Sequence, residues 1–535
     1  MGRSIGFKEA FAIGVGGMIG GGIFAVLGLS LQLAGMAAPV AFFLSGLVAL
    51  LTSYSYAKLT RRYPSAGGTV EFIVKAYGTG VLSGGLNVLL LFSYTVMIAL
   101  YAYAFGAYAA ATINESLRPL FSAFVISAFV LVNALGAYVS GRVEDALVFF
   151  KLAVLILVAG AGLSFVRRDK FSPANRPSFT SIVAGGMIIF VAYEGFELIS
   201  NAAADVEDLD DLPKAFYASV LVVTAIYVLI AIVTAGTLSV EEIIRARDYA
   251  LAEAARPSLG NLGFYLVIAG ALASTASAIN ATLYGVTGIS YVVAKYGALP
   301  ESFERPVWRH ATEGLVFVAL ISFFLALFAP LEIISSAGSA GFLLVFTAVN
   351  VAAYKLRDKI KAHPLIPLIA SLSTSVSLLI LVYRVAATYP KALIVYAAFP
   401  IAFLLERAYR RKTGRSLSEF VDLRLKRREE YIRRRKERFP KLREAIKDEL
   451  PDAEVIVIGS VARGDLNSAH DVDVLIISKE LPENRREFER RVKKRAGLED
   501  APIDFHYRRA FLNSSSMISL ILITSPPEYM EYENM

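Results

Sequence analysis

The sequence predicts an all-α polytopic membrane domain of about twelve transmembrane helices, followed by a small C-terminal α/β (α+β) domain. Three observations carry that prediction. The 535 residues are 56% hydrophobic, with a mean hydropathy of +0.56. Apolar runs of about 20 residues recur up to Glu406, each long enough to cross a bilayer. Beyond Glu406 those runs stop, and Lys and Arg crowd together to supply most of the net charge of +8. The absence of cysteine excludes disulfides, thiol catalysis and Cys-ligated metal, and the four scattered histidines offer no metal cluster.

Apolar runs between charged or Pro/Gly loops place spans near 9–29, 38–58, 82–112, 120–139, 146–166, 181–203, 214–236, 262–290, 313–329, 333–354, 365–385 and 391–406. The first is too long and too glycine-broken for a cleaved signal peptide, so it is expected to stay as a span. Lys58, Arg61, Arg62 and Lys75 follow the second span, and Lys355, Arg357, Lys359 and Lys361 follow the tenth. With the N-terminus inside, about fifteen Lys and Arg lie on the cytoplasmic side against about ten outside. The loop with Arg167, Arg168, Lys170 and Arg176 runs against that trend. Both termini are therefore expected in the cytoplasm, with the chain multi-pass in the cytoplasmic (inner) membrane.

The first span is interrupted by IGVGGMIGGGIF, Ile13–Phe24. Each glycine inside a helix costs about 1 kcal/mol relative to alanine. Close helix packing through small residues would explain the run. So would a helix that unwinds at Gly20, Gly21 and Gly22 and shows its backbone to a polar solute. The readings part five spans later, where an inverted repeat predicts a second break. The sixth span reads AGGMIIFVAYEGFELISNAAADVEDLDDLPKA, with Glu194, Gly195 and Glu197 embedded in apolar sequence. A carboxylate at the membrane centre costs about 2.5–3.5 kcal/mol on insertion scales, so it belongs in a cavity. Paired interruptions favour unwinding.

IGGGIF, AYEGFE, ADVEDLDDLPKA, the eighth-span ASTASAINATLYG and the following YGALPESF make about residues 5–405 resemble the amino acid–polyamine–organocation permeases. The resemblance implies a five-plus-five inverted repeat with two extra spans, and alternating-access transport of amino acids or related amines. It implies that Gly20, Gly21 and Gly22, with Ile23 beside them, offer N–H groups to a substrate carboxylate. Carbonyls freed near Met18 and Glu194 would receive the ammonium, and Phe190, Val191 and Tyr193 would form the wall and gate. Glu194 departs from the commoner apolar or small residue. It is expected to favour a cationic side chain, to titrate, or to pair with Lys or Arg. Glu197 is expected to hold the broken helices together.

Lys151, in VEDALVFFKLAVLILVAGAG, reads either as an interfacial snorkelling lysine or as a desolvated amine that loads and releases a proton. Proton-coupled members of the family carry a lysine at the matching position, where sodium-coupled relatives bind sodium against the first and eighth spans. The resemblance thus implies proton coupling at Lys151 beside Gly16, Gly17 and Ser274, and no sodium site.

The membrane domain is expected over 1–406, a basic helical linker over 407–443 and a second domain over 444–535, whose first helix can open as early as 417. The linker reads as a solvated helix or as a polybasic segment lying on anionic lipid. From Glu454 the short runs VIVIGS, DVDVLIIS and PIDFHY alternate with charged helical stretches. Asp471 and Asp473, two apart on a strand, share a face, and Asp504 sits on another strand. Such carboxylates suit Mg2+ and phosphoryl or nucleotidyl transfer. Ser460 and the N–H groups after Gly459, with Arg463 in the next turn, would cradle phosphates. GS followed by DxD and a later Asp resembles the minimal nucleotidyltransferases of the polymerase-beta-like superfamily. That resemblance implies Mg2+ and a nucleoside triphosphate, ATP foremost, and an acceptor the sequence does not identify. A degenerate domain kept for nucleotide sensing or partner binding is the alternative.

The basic tail interleaves Glu429, Glu430 and Glu437 and lacks aromatic rows, so nucleic acid is not an expected partner. Two further readings of the whole chain are a membrane-tethered nucleotidyltransferase and an amino-acid sensor without transport. A mere anchor has no need of the polar interruptions.

Overall fold

The computed structural model describes residues 6–65, 67–78, 80–134, 141–171, 177–206, 208–295, 306–308, 311–388, 390, 393–413, 435–458, 472–479, 481–482, 485–496, 498 and 503–509. The chain divides near residue 420 into two compact units.

In the membrane unit, α1 (Phe7–Met18) and α2 (Gly22–Ala34) share the first span across a break at residues 19–21. Then come α3 (Ala38–Arg62), α4 (Thr69–Tyr77), α5 (Val81–Ala110), α6 (Arg118–Ala134) and α7 (Gly141–Gly162). The sixth span begins as α8 (Phe179–Ile188) and continues as 3-10 turns over Ile189–Tyr193 and Phe196–Asp205. It is followed by α9 (Asp211–Thr237), α10 (Val240–Arg245), α11 (Ala250–Lys295) and the small antiparallel pair β1 (Pro306–Trp308) and β2 (Ala311–Thr312). The unit ends with α12 (Glu313–Phe328), α13 (Leu331–Lys355), α14 (Arg357–Ile360), α15 (Leu365–Thr388), α16 (Leu393–Tyr396) and α17 (Ala398–Thr413).

Among the described residues each of the twelve expected spans falls mostly on helix or 3-10 turns, and nine stretches are long and apolar enough to cross a membrane. Their large apolar side chains stay exposed, as Phe328 at 76% and Leu379 at 68% do, a surface suited to lipid rather than water. The interior belongs to the sixth span, α5 and α13, whose most apolar stretches are 83%, 78% and 78% buried against 17% for that of α6. Two details differ from the expected boundaries. Gly22 is already helical, because the Ala25 N–H bonds back to the Gly21 carbonyl at 3.0 Å and closes the first turn of α2. The eighth span is lengthened to Ala250 across a kink at Gly260 (φ +61), three residues after Pro257.

The second unit contains α18 (Arg435–Glu449), β3 (Glu454–Ile458), β4 (Val472–Ser478), α19 (Arg485–Arg495) and β5 (Ile503–Arg509). Its sheet runs β3-β4-β5, with β3 antiparallel and β5 parallel to β4. Parallel neighbours need a crossover, and α19 supplies it. Leu442 and Ile446 of α18 and Phe488 and Val492 of α19 are buried with Val474 and Ile476 of the central strand.

Candidate functional site

The two helix breaks meet backbone against backbone. A methyl group on Gly17 would lie 2.8 Å from the Gly195 carbonyl oxygen, and one on Gly195 would lie 2.4 Å from the Gly17 carbonyl carbon. Gly195 also has φ +119, in the region that side chains disfavour. Next to this contact, a methyl on Gly22 would lie 2.6 Å from the Ala192 Cα. No other residue type fits at 17 or 195 without moving one break away from the other.

Unwinding frees backbone groups, and neighbouring helices take them up. Ser274 of α11 places its hydroxyl 2.5 Å from the Ile19 carbonyl and 3.1 Å from that of Gly20. Tyr227 of α9 donates to the Met18 carbonyl at 2.7 Å, with the Ala192 carbonyl at 3.1 Å. At the second break, Ser335 and Ser339 of α13 donate to the Ile188 carbonyl at 2.7 and 2.8 Å. Ser339 also accepts from the Val191 N–H at 3.1 Å. Each break is therefore clamped by a helix from elsewhere in the bundle.

Two buried carboxyls sit at the second break. Glu197 accepts from the Gly195 N–H at 2.8 Å and from the Tyr94 hydroxyl at 3.2 Å. Glu194 accepts from the Tyr101 hydroxyl at 3.3 Å. Tyr101 also covers the first break, where a methyl on Gly21 would lie 2.5 Å from its ring. One turn pattern on α5 thus serves both breaks: Tyr94, Tyr101 and Tyr108 recur every seven residues, and Tyr108 donates to the Phe24 carbonyl of α2 at 3.1 Å. The same recurrence was available in the sequence. Tyr227 and the α13 serines had no comparable signal, being ordinary residues of apolar spans.

Lys151 is buried and donates to the Gly16 carbonyl at 2.8 Å. Gly16 faces α7 closely, since a methyl there would lie 3.0 Å from a Val148 methyl. Lys151 of α7 therefore meets the last turn of α1, where Gly16 and Gly17 lie, whereas Ser274 binds two and three residues beyond Gly17. The three wall residues adjoin the second break. Tyr193 donates to the Phe42 carbonyl of α3 at 2.8 Å, Phe190 meets Phe346 edge-on at 6.0 Å, and Val191 lies against Gly338 of α13.

In the second unit, Asp473 and Asp504 occupy paired register positions on the parallel strands β4 and β5. Neighbouring strands lie about 4.8 Å apart, which brings the two backbones side by side. Gly459, Ser460, Arg463 and Asp471 lie outside the described residues. Among the described residues there is no cluster of three or more His, Cys, Asp or Glu able to hold a metal.

Residues 5–405 match the sequence model of the amino acid permeases, three quarters of the chain. The chain belongs to the amino acid permease family. It is 36% identical over 423 residues to Uncharacterized protein MJ0609 of Methanocaldococcus jannaschii, covering 78% of this chain and 97% of that one. It is 35% identical over 386 residues to the Inner membrane transport protein YbaT of Escherichia coli, covering 71% and 89%. The Branched-chain amino acid permease BcaP of Bacillus subtilis is 23% identical over 380 residues, covering 67% and 81%. Residues 440–521 match a nucleotidyltransferase domain. The chain is thus an amino acid permease family member that also carries a nucleotidyltransferase domain, and both breaks lie within the permease match.

Proposed function

We propose that this chain is a proton-coupled secondary transporter that carries amino acids or related amines across the cytoplasmic membrane by alternating access, with both termini in the cytoplasm. The observation that carries this reading is the contact of the two breaks, Gly17 on Gly195, with Lys151 bound to the adjoining Gly16 carbonyl. The N–H groups that open α2 have no partner within the helix and favour a carboxylate. Glu194 stands one residue from Gly195 to receive an ammonium group. A charged amine binds a carbonyl more strongly than a neutral one. Protonation of Lys151 therefore tightens α7 on α1, and deprotonation releases the half-helix that lines the site. That BcaP is a branched-chain amino acid permease supports the substrate class, and that YbaT is an inner membrane transport protein supports transport.

The test is a panel of radiolabelled amino acids in proteoliposomes at two pH gradients, in sodium-free buffer. The proposal expects uptake driven by an inward proton gradient and its loss in Lys151→Ala. Uptake that depends on sodium alone overturns proton coupling. Absence of counterflow of labelled substrate overturns transport itself and leaves a sensor.

For the second unit we propose a Mg2+-dependent nucleotidyltransferase activity using a nucleoside triphosphate, ATP foremost. The paired register of Asp473 and Asp504 supports it, and with Asp471 they are the residues that would hold the ion. Mg2+ when bound neutralises charge on the triphosphate. Gly459, Ser460 and Arg463 would hold the phosphates, and the basic 407–443 segment would rest on anionic lipid. Mg2+-dependent incorporation from labelled nucleotide by the full chain, lost in Asp473→Ala, is the expected result.

A further inference from the structure

A cavity of about 240 Å3 opens at the C-terminal end of α5, the end opposite α4. Its polar lining is Glu115, Arg118, Arg245, Arg247, Asp248 and Tyr249. The Arg247 guanidinium is committed to Glu332 of α13 at 2.7 Å and to Asp248 at 2.9 Å. Asp248 also accepts from the Tyr103 hydroxyl at 2.9 Å. Arg118 lies 4.1 Å over the Tyr103 ring and donates to the Ala326 carbonyl at 3.0 Å. Glu115 accepts a neutral hydroxyl, that of Tyr249 at 2.7 Å. Among the described residues, Arg118 and Arg245 have no carboxylate at ion-pair distance and Glu115 has no cation.

With Glu332 included, three guanidiniums and three carboxylates make the cavity neutral overall. It nevertheless presents unmatched charges of both signs. A zwitterion answers both and leaves the total at zero, which a simple anion or cation does not. The volume is below that of drug-sized pockets and suits a solute the size of an amino acid.

The cavity is in line with the breaks. Tyr101 covers Gly21, and Ala107 and Ala110 line the cavity six and nine residues further along α5, roughly 9–14 Å away. At the cavity's own level on α5 stands a buried aromatic pair, Phe24 edge-on to Tyr108 at 6.0 Å. Below that pair begin the freed N–H groups of α2.

We infer that this cavity is an outer subsite that takes the head group of a zwitterionic α-amino acid, its carboxylate at Arg118 and Arg245 and its ammonium at Glu115, before the Phe24–Tyr108 layer opens. The inference deepens the proposed transport function and rests on it. It makes the cavity a place where the substrate is selected by head group, ahead of any reading of its side chain.

The experiment compares loading of the full chain in oriented proteoliposomes from the cavity side and from the opposite side. Arg245 is exposed, so Arg245→Gln leaves the packing intact. It is expected to raise KM five- to tenfold from the cavity side, with kcat within twofold and the opposite side unchanged, and Arg245→Lys restores most of the loss. An unchanged KM, or an equal change from both sides, overturns the subsite. A second measurement uses the cysteine-free chain. In Ile244→Cys, at a cavity position 62% exposed, an amino acid should slow maleimide labelling while its methyl ester does not. Equal protection by the ester overturns the carboxylate assignment. Failure of the unaltered chain to transport any amino acid would instead overturn the function on which the subsite rests.

Discussion

In the membrane unit the first break offers backbone groups: Lys151, Tyr227 and Ser274 take the carbonyls of Gly16, Met18, Ile19 and Gly20. In the second unit the chemistry is proposed to lie in side chains, aspartates set at fixed positions on β4 and β5. The difference decides what each site is sensitive to. A carbonyl cannot be removed by mutation, so a backbone site is held by shape, through whatever lets two chains approach. A carboxylate site is held by identity, and one substitution removes it. The first should fail through glycines that carry no function of their own. The second should tolerate reshaping around the aspartates but not their loss.

The sharpest test of that contrast is Gly195→Ala. The added methyl would meet the Gly17 carbonyl carbon at 2.4 Å, on a residue whose φ of +119 disfavours any side chain. Overpacking and backbone strain each cost about 1–3 kcal/mol. At a combined cost of about 2–6 kcal/mol, uptake should fall at least about thirtyfold. Gly160→Ala, where a methyl meets nothing within 4 Å, should transport normally. Equal behaviour of the two variants in proteoliposome uptake would show that the breaks do not depend on contact.

Next in size is Asp473→Ala. Nucleotide incorporation should drop about a hundredfold, as should removal of Mg2+ by chelation, the scale of losing one charged group at a metal centre. Uptake by the same preparation should be unchanged. A matching loss of uptake would mean that the two units work as one. Tyr101→Phe should have a smaller effect. It removes the hydroxyl that reaches Glu194 at 3.3 Å and leaves a buried carboxyl with one donor fewer, worth about 1–2 kcal/mol. A rise in KM of roughly tenfold, measured by uptake at varied substrate, is expected.

How much of this was legible in the sequence follows the same contrast. Helix breaks leave a mark in composition, so the glycine run at Ile13–Phe24 and the acids at Glu194 and Glu197 located both interruptions. Strand alternation likewise pointed to Asp473 and Asp504, though nothing in spacing alone could set their register side by side. What could not be read was the partner of each freed carbonyl. Tyr227 lies 209 residues from Met18 and Ser274 lies 255 from Ile19, and a hydroxyl in an apolar span looks the same whether or not it caps a distant break. The wall residues show the related limit. Phe190, Val191 and Tyr193 adjoin the break in sequence, and their partners on α3, α9 and α13 are as distant in sequence as those of the freed carbonyls.

The smallest effect concerns Asp452, which ties the start of β3 to the end of β4 and puts the identity rule to work in a structural role. Its carboxylate accepts from the Lys479 N–H and the Ser478 hydroxyl, both at 2.8 Å. Those bonds, the backbone one foremost, hold its pKa below the usual carboxylate value. A carboxyl whose pKa is lower folded than unfolded adds stability above its unfolded value of about 3.9 and loses it as pH falls through the folded one. Hydrogen exchange at the Lys479 amide in the full chain should therefore be flat from pH 7 to 5, once corrected for intrinsic rate, and lose protection below about pH 4. Because the group is exposed, the change is modest. Asp452→Asn keeps an acceptor oxygen but no charge, so protection should be slightly lower at neutral pH and its acid dependence should vanish. Retention of the full acid step in that variant would assign the step to another carboxylate, and the sheet would then be held at this corner by shape, as the membrane breaks are.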